Sequence, residues 1–200
     1  MAETGEKKEN RRVRYTRMAL RESLLSLLQQ FPISKISVSR VCEQADVNRS
    51  TFYLYYKDVN DLLKKIEDEL YVQIAALVDQ SRDILPNSVL LRQVFEVIYK
   101  HRDLCRVLFG EYGDKNFLRI VGSIQRERML REWTDPALAL DETALEYLHA
   151  FFAFTNIGII ERWVSRDFQE TPDQLAQLAT VLLSQGVTGY LKGRPAKDPA

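Results

Sequence analysis

From Ser37 to Tyr56 the chain reads SVSRVCEQADVNRSTFYLYY, and few folds can use such a stretch. Ser37 is a good helix cap, and the residues behind it predict a helix running through Cys42 to about Ala45, with Val38, Val41 and Cys42 facing inward. Asp46-Val47 forms a turn, Val47 filling the space between the two helices. Asn48 then caps a further helix from Arg49 to about Tyr55, whose Phe52 points to the core. A helix-turn-helix enters the major groove of DNA in this way, front end first. Arg49 has the fork to pair bidentately with guanine, and Ser50 and Thr51 are adaptable donors and acceptors. The hydroxyls of Tyr53 and Tyr55 have the reach of groups that bind phosphate.

The flanks support this reading. A first helix is expected from about Tyr15 to Gln30, where Leu20, Leu24, Leu27 and Phe31 recur every three or four residues with Leu28 beside them, until Pro32 stops it. Met1 to Asn10 lacks apolar periodicity, so residues 1–12 are expected to be a disordered basic arm. The run Arg11, Arg12, Arg14 and Arg17 has two readings, an arm near phosphates or a minor groove and a solvated charge run. Charge is unevenly placed. Residues 1–65 hold 13 Lys+Arg against 8 Asp+Glu, while the chain as a whole is neutral. A basic first third on an acidic remainder suits a local nucleic-acid footprint. Asp58 caps a long fourth helix with Asp61 in its first turn, and Leu62, Leu63, Ile66, Leu70, Ile74, Leu77 and Val78 keep the helical period to about Ser81.

On these residues the chain resembles the TetR family of bacterial regulators. The leading helix, Ser37-Val38, the turn into Asn48, then Thr51-Phe52-Tyr53, Tyr55-Tyr56, and Asp58 before Leu62-Leu63 stand in the family's order. The resemblance implies a DNA-binding domain over 13–74, its helix-turn-helix at 37–56. It implies major-groove contacts from Arg49, Ser50 and Thr51, and phosphate contacts from Tyr53, Tyr55 and the start of the second helix around Ser37, Ser39 and Arg40; Asn48 belongs to the same surface. The chain departs from the family at three places. Asp46 replaces a turn glycine, the usual glycine after the first helix is missing near Phe31-Pro32, and Val59 stands where many members carry a phosphate-touching lysine, with Lys57 as its substitute.

The remainder, 75–192, reads as helices throughout, followed by a loose tail at 193–200. Helices are expected over Asn87–His101, Asp103–Phe109, Lys115–Trp133 and Asp141 to about Val164, and from Thr171-Pro172 to about Leu191. Phe151 to Trp163, FFAFTNIGIIERW, is apolar nearly all round. It reads either as a dimer interface shared with the last helix, through Ile157, Gly158, Trp163 and Leu182, or as an ordinary core helix. Gly158 would then allow close helix approach. Gly158, Trp163 and Thr171-Pro172-Asp173 together are similar to a TetR subgroup common in Firmicutes that includes regulators of dihydroxyacetone kinase. A pocket is expected under the fourth helix, with Phe95, Tyr99, Phe117, Ile124, His149 and Phe152 as candidate lining, each equally explicable as core.

Catalytic signatures are absent: the chain has no GxGxxG, P-loop, HExxH or GxSxG. Glu146 and His149 make one ExxH, with Glu142 a turn earlier, whereas a di-iron bundle site needs two such motifs. Cys42 and Cys105 lack metal spacing and read as structural thiols. No unbroken apolar run reaches the ~18 residues of a membrane span, and a cytoplasmic location is expected. The expectation is an all-α chain without metal or cofactor. It would be a homodimeric repressor on double-stranded inverted-repeat DNA, released by an unknown small-molecule effector. The alternative is a protein-binding adaptor on the same fold, of the kind that coactivates a metabolic kinase.

Overall fold

The computed structural model describes residues 3–81, 88–113, 117, 120–121, 124 and 141–192, and among them it is helical with no strand. Eight α-helices with described bounds stand in order among these residues: α1 (Glu3–Leu28), α2 (Val38–Ala45), α3 (Arg49–Tyr53), α4 (Val59–Gln80), α5 (Ser88–Lys100), α6 (Arg102–Leu108), α7 (Glu142–Ser165) and α8 (Pro172–Lys192). The expected tail at 193–200 and most of the expected Lys115–Trp133 helix lie outside the described residues. The chain divides into two compact units. One is formed by 1–69 with 103–114, the other by 70–102 with 115–200.

In the first unit, α1 buries Leu20, Leu24, Leu25, Leu27 and Leu28 along one stripe. The helix begins at Glu3, so the disordered arm expected over 1–12 is replaced by helix. Glu, Lys and Arg are good helix formers, which suits a helix through this stretch. Pro32 ends the segment as expected, after Gln30 and Phe31 donate their amides back to the Leu27 carbonyl at 3.0 and 2.9 Å. Val41, Cys42, Phe52, Tyr56, Val59, Leu62 and Ile66 complete the buried set from α2, α3 and α4. The segment 103–114 joins this unit with Leu104, Cys105, Val107 and Leu108 buried, a return that a boundary at 74/75 does not anticipate. After α6 the chain turns so tightly that a Cβ on Gly113 would overlap the Leu108 carbonyl oxygen.

In the second unit, α5 packs along α8, which also contacts α7. Ala176, Ala179 and Leu183 recur at helical spacing on the buried side of α8, where small residues permit close approach. Trp163, 1 % exposed, anchors the aromatic core. Its ring lies edge-on to Phe95 (5.8 Å) and Phe168 (4.9 Å) and stacks on Tyr99 (6.0 Å). Its indole N–H donates to the Glu170 carbonyl at 2.9 Å. Asp167 and Phe168 both take left-handed backbone (φ 54° and 57°), with Phe168 N–H donating to the Trp163 carbonyl at 3.0 Å. That conformation costs a bulky residue ~1–2 kcal/mol, which burial of the Phe168 ring is large enough to offset.

α7 departs most from expectation. It is long and apolar enough, by length and composition, to cross a membrane, because polar residues such as Asn156 interrupt its apolar run without making it polar. Only 17 % of its most apolar 18-residue window is buried. Gly158 faces open space among the described residues, with none of them within 4 Å of where a Cβ would stand, so it makes no close approach to a described helix. Tyr147 and Phe154 are 74 % and 75 % exposed, and Phe151, Leu178, Val181 and Leu182 on α7 and α8 are exposed as well.

Candidate nucleic-acid interface

Two caps set the geometry of the helix-turn-helix. Ser37 Oγ accepts from the Arg40 amide at 3.3 Å and starts α2. Asn48 Oδ1 accepts from the Ser50 amide and the Ser50 hydroxyl, both at 2.9 Å, and starts α3. Between them Asp46 closes α2 in the left-handed region (φ 52°, ψ 44°), its amide bonding back to Glu43 and its neighbour Val47 to Cys42. The family's turn glycine is therefore replaced where glycine is the least strained residue; aspartate is one of the few others that tolerates the region.

α3 buries Phe52, whose ring packs edge-on to Tyr53 (5.6 Å) and tilted to Tyr56 (5.5 Å). This anchor turns the opposite face outward. Arg49 and Ser50 are exposed, Thr51 is half-buried, Tyr53 is exposed and Tyr55 is half-buried. Ser37, Ser39, Arg40, Asn48 and Lys57 are exposed too. The expected contact residues thus share one small unit, but their tasks differ. The Asn48 oxygen is committed to the cap, and the Ser50 hydroxyl already donates to it. Arg40 lies with its guanidinium carbon 4.0 Å from the Phe31 ring centroid, which restrains its direction while leaving it exposed. Val59 is buried, so no lysine-like contact starts α4. Lys57 instead offers an exposed side chain two residues earlier.

The start of α4 is closed reciprocally. Asp58 Oδ1 accepts from the Asp61 amide (2.8 Å), while the Asp61 carboxylate accepts from the Lys57 amide (2.9 Å) and the Lys65 ammonium (3.1 Å). These donors, the Lys57 amide first, hold the Asp61 carboxyl below its ordinary range. Lys65 also donates to the Tyr55 carbonyl at 2.8 Å, tying α4 to the end of the recognition segment. Sequence reasoning missed Leu54, an exposed apolar side chain beside these tyrosines. Its signal was its position two residues after inward-facing Phe52.

Residues 88–185 match a TetR family model described as a transcriptional regulator C-terminal region. Over these residues the chain carries a TetR-type transcriptional regulator C-terminal region. It is 21 % identical over 181 residues to the uncharacterized HTH-type transcriptional regulator YxbF of Bacillus subtilis (strain 168), a match covering 88 % of this chain and 46 % of that one. It therefore spans about half the length of this curated relative. Solved TetR-type structures share its fold. The dihydroxyacetone kinase operon activator DhaS is 18 % identical, with a TM-score of 0.57 over 86 % of this chain and 96 % of the other. A TetR regulator from Streptococcus agalactiae is 24 % identical, with 0.56 over 89 % and 98 %. FadR from Bacillus subtilis in complex with stearoyl-CoA is 16 % identical, with 0.62 over 84 % and 98 %.

The sensing residues expected in the TetR-type body are partly dispersed. A cavity of about 90 Å³ in the second unit is lined by aliphatic side chains, among them Ile74, Val78, Leu90, Ile98 and Ile160, together with Phe95 and Ile124 and, as the one polar residue among the described lining, Asn156. Asn156 Nδ2 donates to the Phe152 carbonyl at 2.9 Å. Phe95 and Ile124 were expected there. Tyr99 stacks on Trp163 instead, Phe117 and Phe152 are buried without lining the cavity, and His149 is half-buried elsewhere on α7. Ile157, expected at an interface, lines this cavity. Trp163 is core rather than surface, leaving Gly158 and Leu182 as the expected interface residues that are exposed. Glu142 and Glu146 are exposed, and no group of three metal-ligating side chains converges among the described residues. Burial raises both thiols, that of Cys105 to about 12, which makes it a poor nucleophile.

Proposed function

We propose that this TetR-type regulator is a homodimer that binds an inverted-repeat operator through α3 and represses transcription until an apolar effector enters the second unit. The observation that carries the DNA reading is the exposed first turn of α3. Arg49, Ser50 and Thr51 project from a helix whose start is fixed by Asn48 and whose back is anchored by Phe52. A two-fold dimer would set two such helices into successive major grooves. Dimerisation is supported by the uncovered apolar face of α7 and α8, where Tyr147, Phe151, Phe154 and Leu182 are exposed in the single chain. We place such a DNA-bound regulator in the cytoplasm.

The effector class follows from the lining of the cavity. Aliphatic walls with one amide favour a hydrocarbon tail over a polar or charged molecule. The ligand in the FadR structure, stearoyl-CoA, is of that kind. At about 90 Å³ the cavity is below the ~300 Å³ of an ordinary ligand pocket, so a ligand must stabilise a more open conformation. That requirement suits a switch, because an effector shifts the equilibrium only by preferring one state. The exposed apolar face also favours a second reading, in which it holds a different protein and the chain acts as an adaptor.

Selection of bound duplexes from a random pool, run with the full chain at two salt concentrations, tests the proposal. A recovered palindrome with a steep salt slope is expected. A folded dimer that enriches no sequence would favour the adaptor.

A further inference from the structure

Between α1 and α4 of the first unit lies a cleft of about 380 Å³ that DNA reading by α3 leaves unused. Arg14, Arg17 and Arg21 rise from successive turns of α1, and Lys65 faces them from α4. Glu69, the one carboxylate among the described lining residues, is bonded to Arg21 Nη1 at 2.5 Å. Arg17 Nε donates to the Tyr56 hydroxyl at 3.4 Å, and Lys65 Nζ lies 5.0 Å from the centre of the Tyr56 ring. Four cations thus border one concave space with a hydroxyl at its base; Glu69 offsets Arg21 and Asp61 offsets Lys65, which leaves Arg14 and Arg17 as the excess charge. Like charges spaced three and four residues apart on a helix repel, so this arrangement is locally unfavourable without a counter-charge. The planar forks of the arginines suit the oxygens of a phosphate or pyrophosphate group.

We propose that this cleft binds a small phosphate-bearing anion, one per chain, which bridges α1 and α4 and so stiffens the DNA-binding unit. A small anion fits better than a duplex backbone, because Glu69 stands on the wall and would repel a continuous line of phosphates. A ligand whose charge fits inside the cleft can engage the arginines and avoid it.

Titration calorimetry of the full chain with inorganic pyrophosphate tests the assignment. Saturable binding with one site per chain is expected. Arg17→Ala and Arg14→Ala should each weaken it about tenfold, the scale of a lost charge-assisted hydrogen bond. Arg92→Ala, on the exposed side of α5, should leave it unchanged. Circular dichroism of each variant separates lost binding from lost folding. Absence of saturable heat in the millimolar range would overturn the proposal, as would equal weakening by Arg92→Ala. So would an absent pyrophosphate site combined with weaker duplex binding and a shallower salt slope in the Arg14 and Arg17 variants, which would give the cleft to the DNA backbone.

Discussion

The turn that presents α3 and the helix α7 leave different things uncovered. Around α3 the backbone ends are closed by side chains of the same unit: Ser37, Asn48, Asp58 and Asp61 each accept an amide that would otherwise be orphaned. What remains exposed there, Leu54 apart, is mostly polar or charged, with Arg40, Arg49 and Lys57 ready for an anionic partner. α7 is also well started, by Asp141 accepting from the Ala144 amide at 2.7 Å. Its surface, however, is apolar on faces that the described residues leave uncovered. One region is complete as a fold and incomplete as a recognition surface. The other is incomplete as a fold until something apolar lies against it.

That contrast can be broken at several points, the largest effect coming from the core of the second unit. Trp163→Ala removes the ring that Phe95, Tyr99 and Phe168 pack on, and should destabilise that unit by ~3–5 kcal/mol. Chemical denaturation followed by circular dichroism should then show an early transition, with the first unit retained. A single transition moved as a whole would mean that the units unfold together. Phe154→Glu should leave the folded chain intact but weaken self-association by ~1.5–3 kcal/mol, the burial free energy of one large apolar side chain. Light scattering after gel filtration across a dilution series would detect it, and an unchanged mass would remove α7 from the dimer interface.

Two smaller changes sharpen the account of the first unit. Asp46→Gly relieves a left-handed residue and should raise its stability by up to ~1 kcal/mol, read from the denaturation midpoint. Asp61 gives a pH dependence of known sign. Its carboxyl is held low in the folded chain, so its stabilisation is present above the ordinary carboxylate range and is lost as pH falls through the folded value. Asp61→Asn should flatten stability against pH in that acidic window and change little near neutrality.

Capping made much of the fold legible in the sequence, because a cap is a local event. Ser37, Asn48, Asp58, Asp141 and Thr171 each start the helix their residue type announces, and Thr171 does so with Gln174 returning the bond at 2.8 Å. The exposed face of α3 was legible for the same reason, since Phe52 fixes which side of a short helix faces out. The body was less so. α7 is apolar around its circumference, so periodicity could not tell that Ile157 faces a cavity, Trp163 the core and Gly158 open space. The return of 103–114 to the first unit joins residues far apart in the chain, and nothing local in Leu104 or Val107 names the partner.

The central claim is that sequence is read from the first turn of α3. Its most direct test is the affinity of Arg49→Ala for the selected duplex and for a panel of single base-pair substitutions within it. The loss of one bidentate contact should cost ~1–3 kcal/mol on the selected duplex and relax preference at one or two base pairs, while other positions keep theirs. Uniform weakening across the panel would make Arg49 a phosphate contact. Unchanged binding and preference would contradict the placement of α3 in the groove.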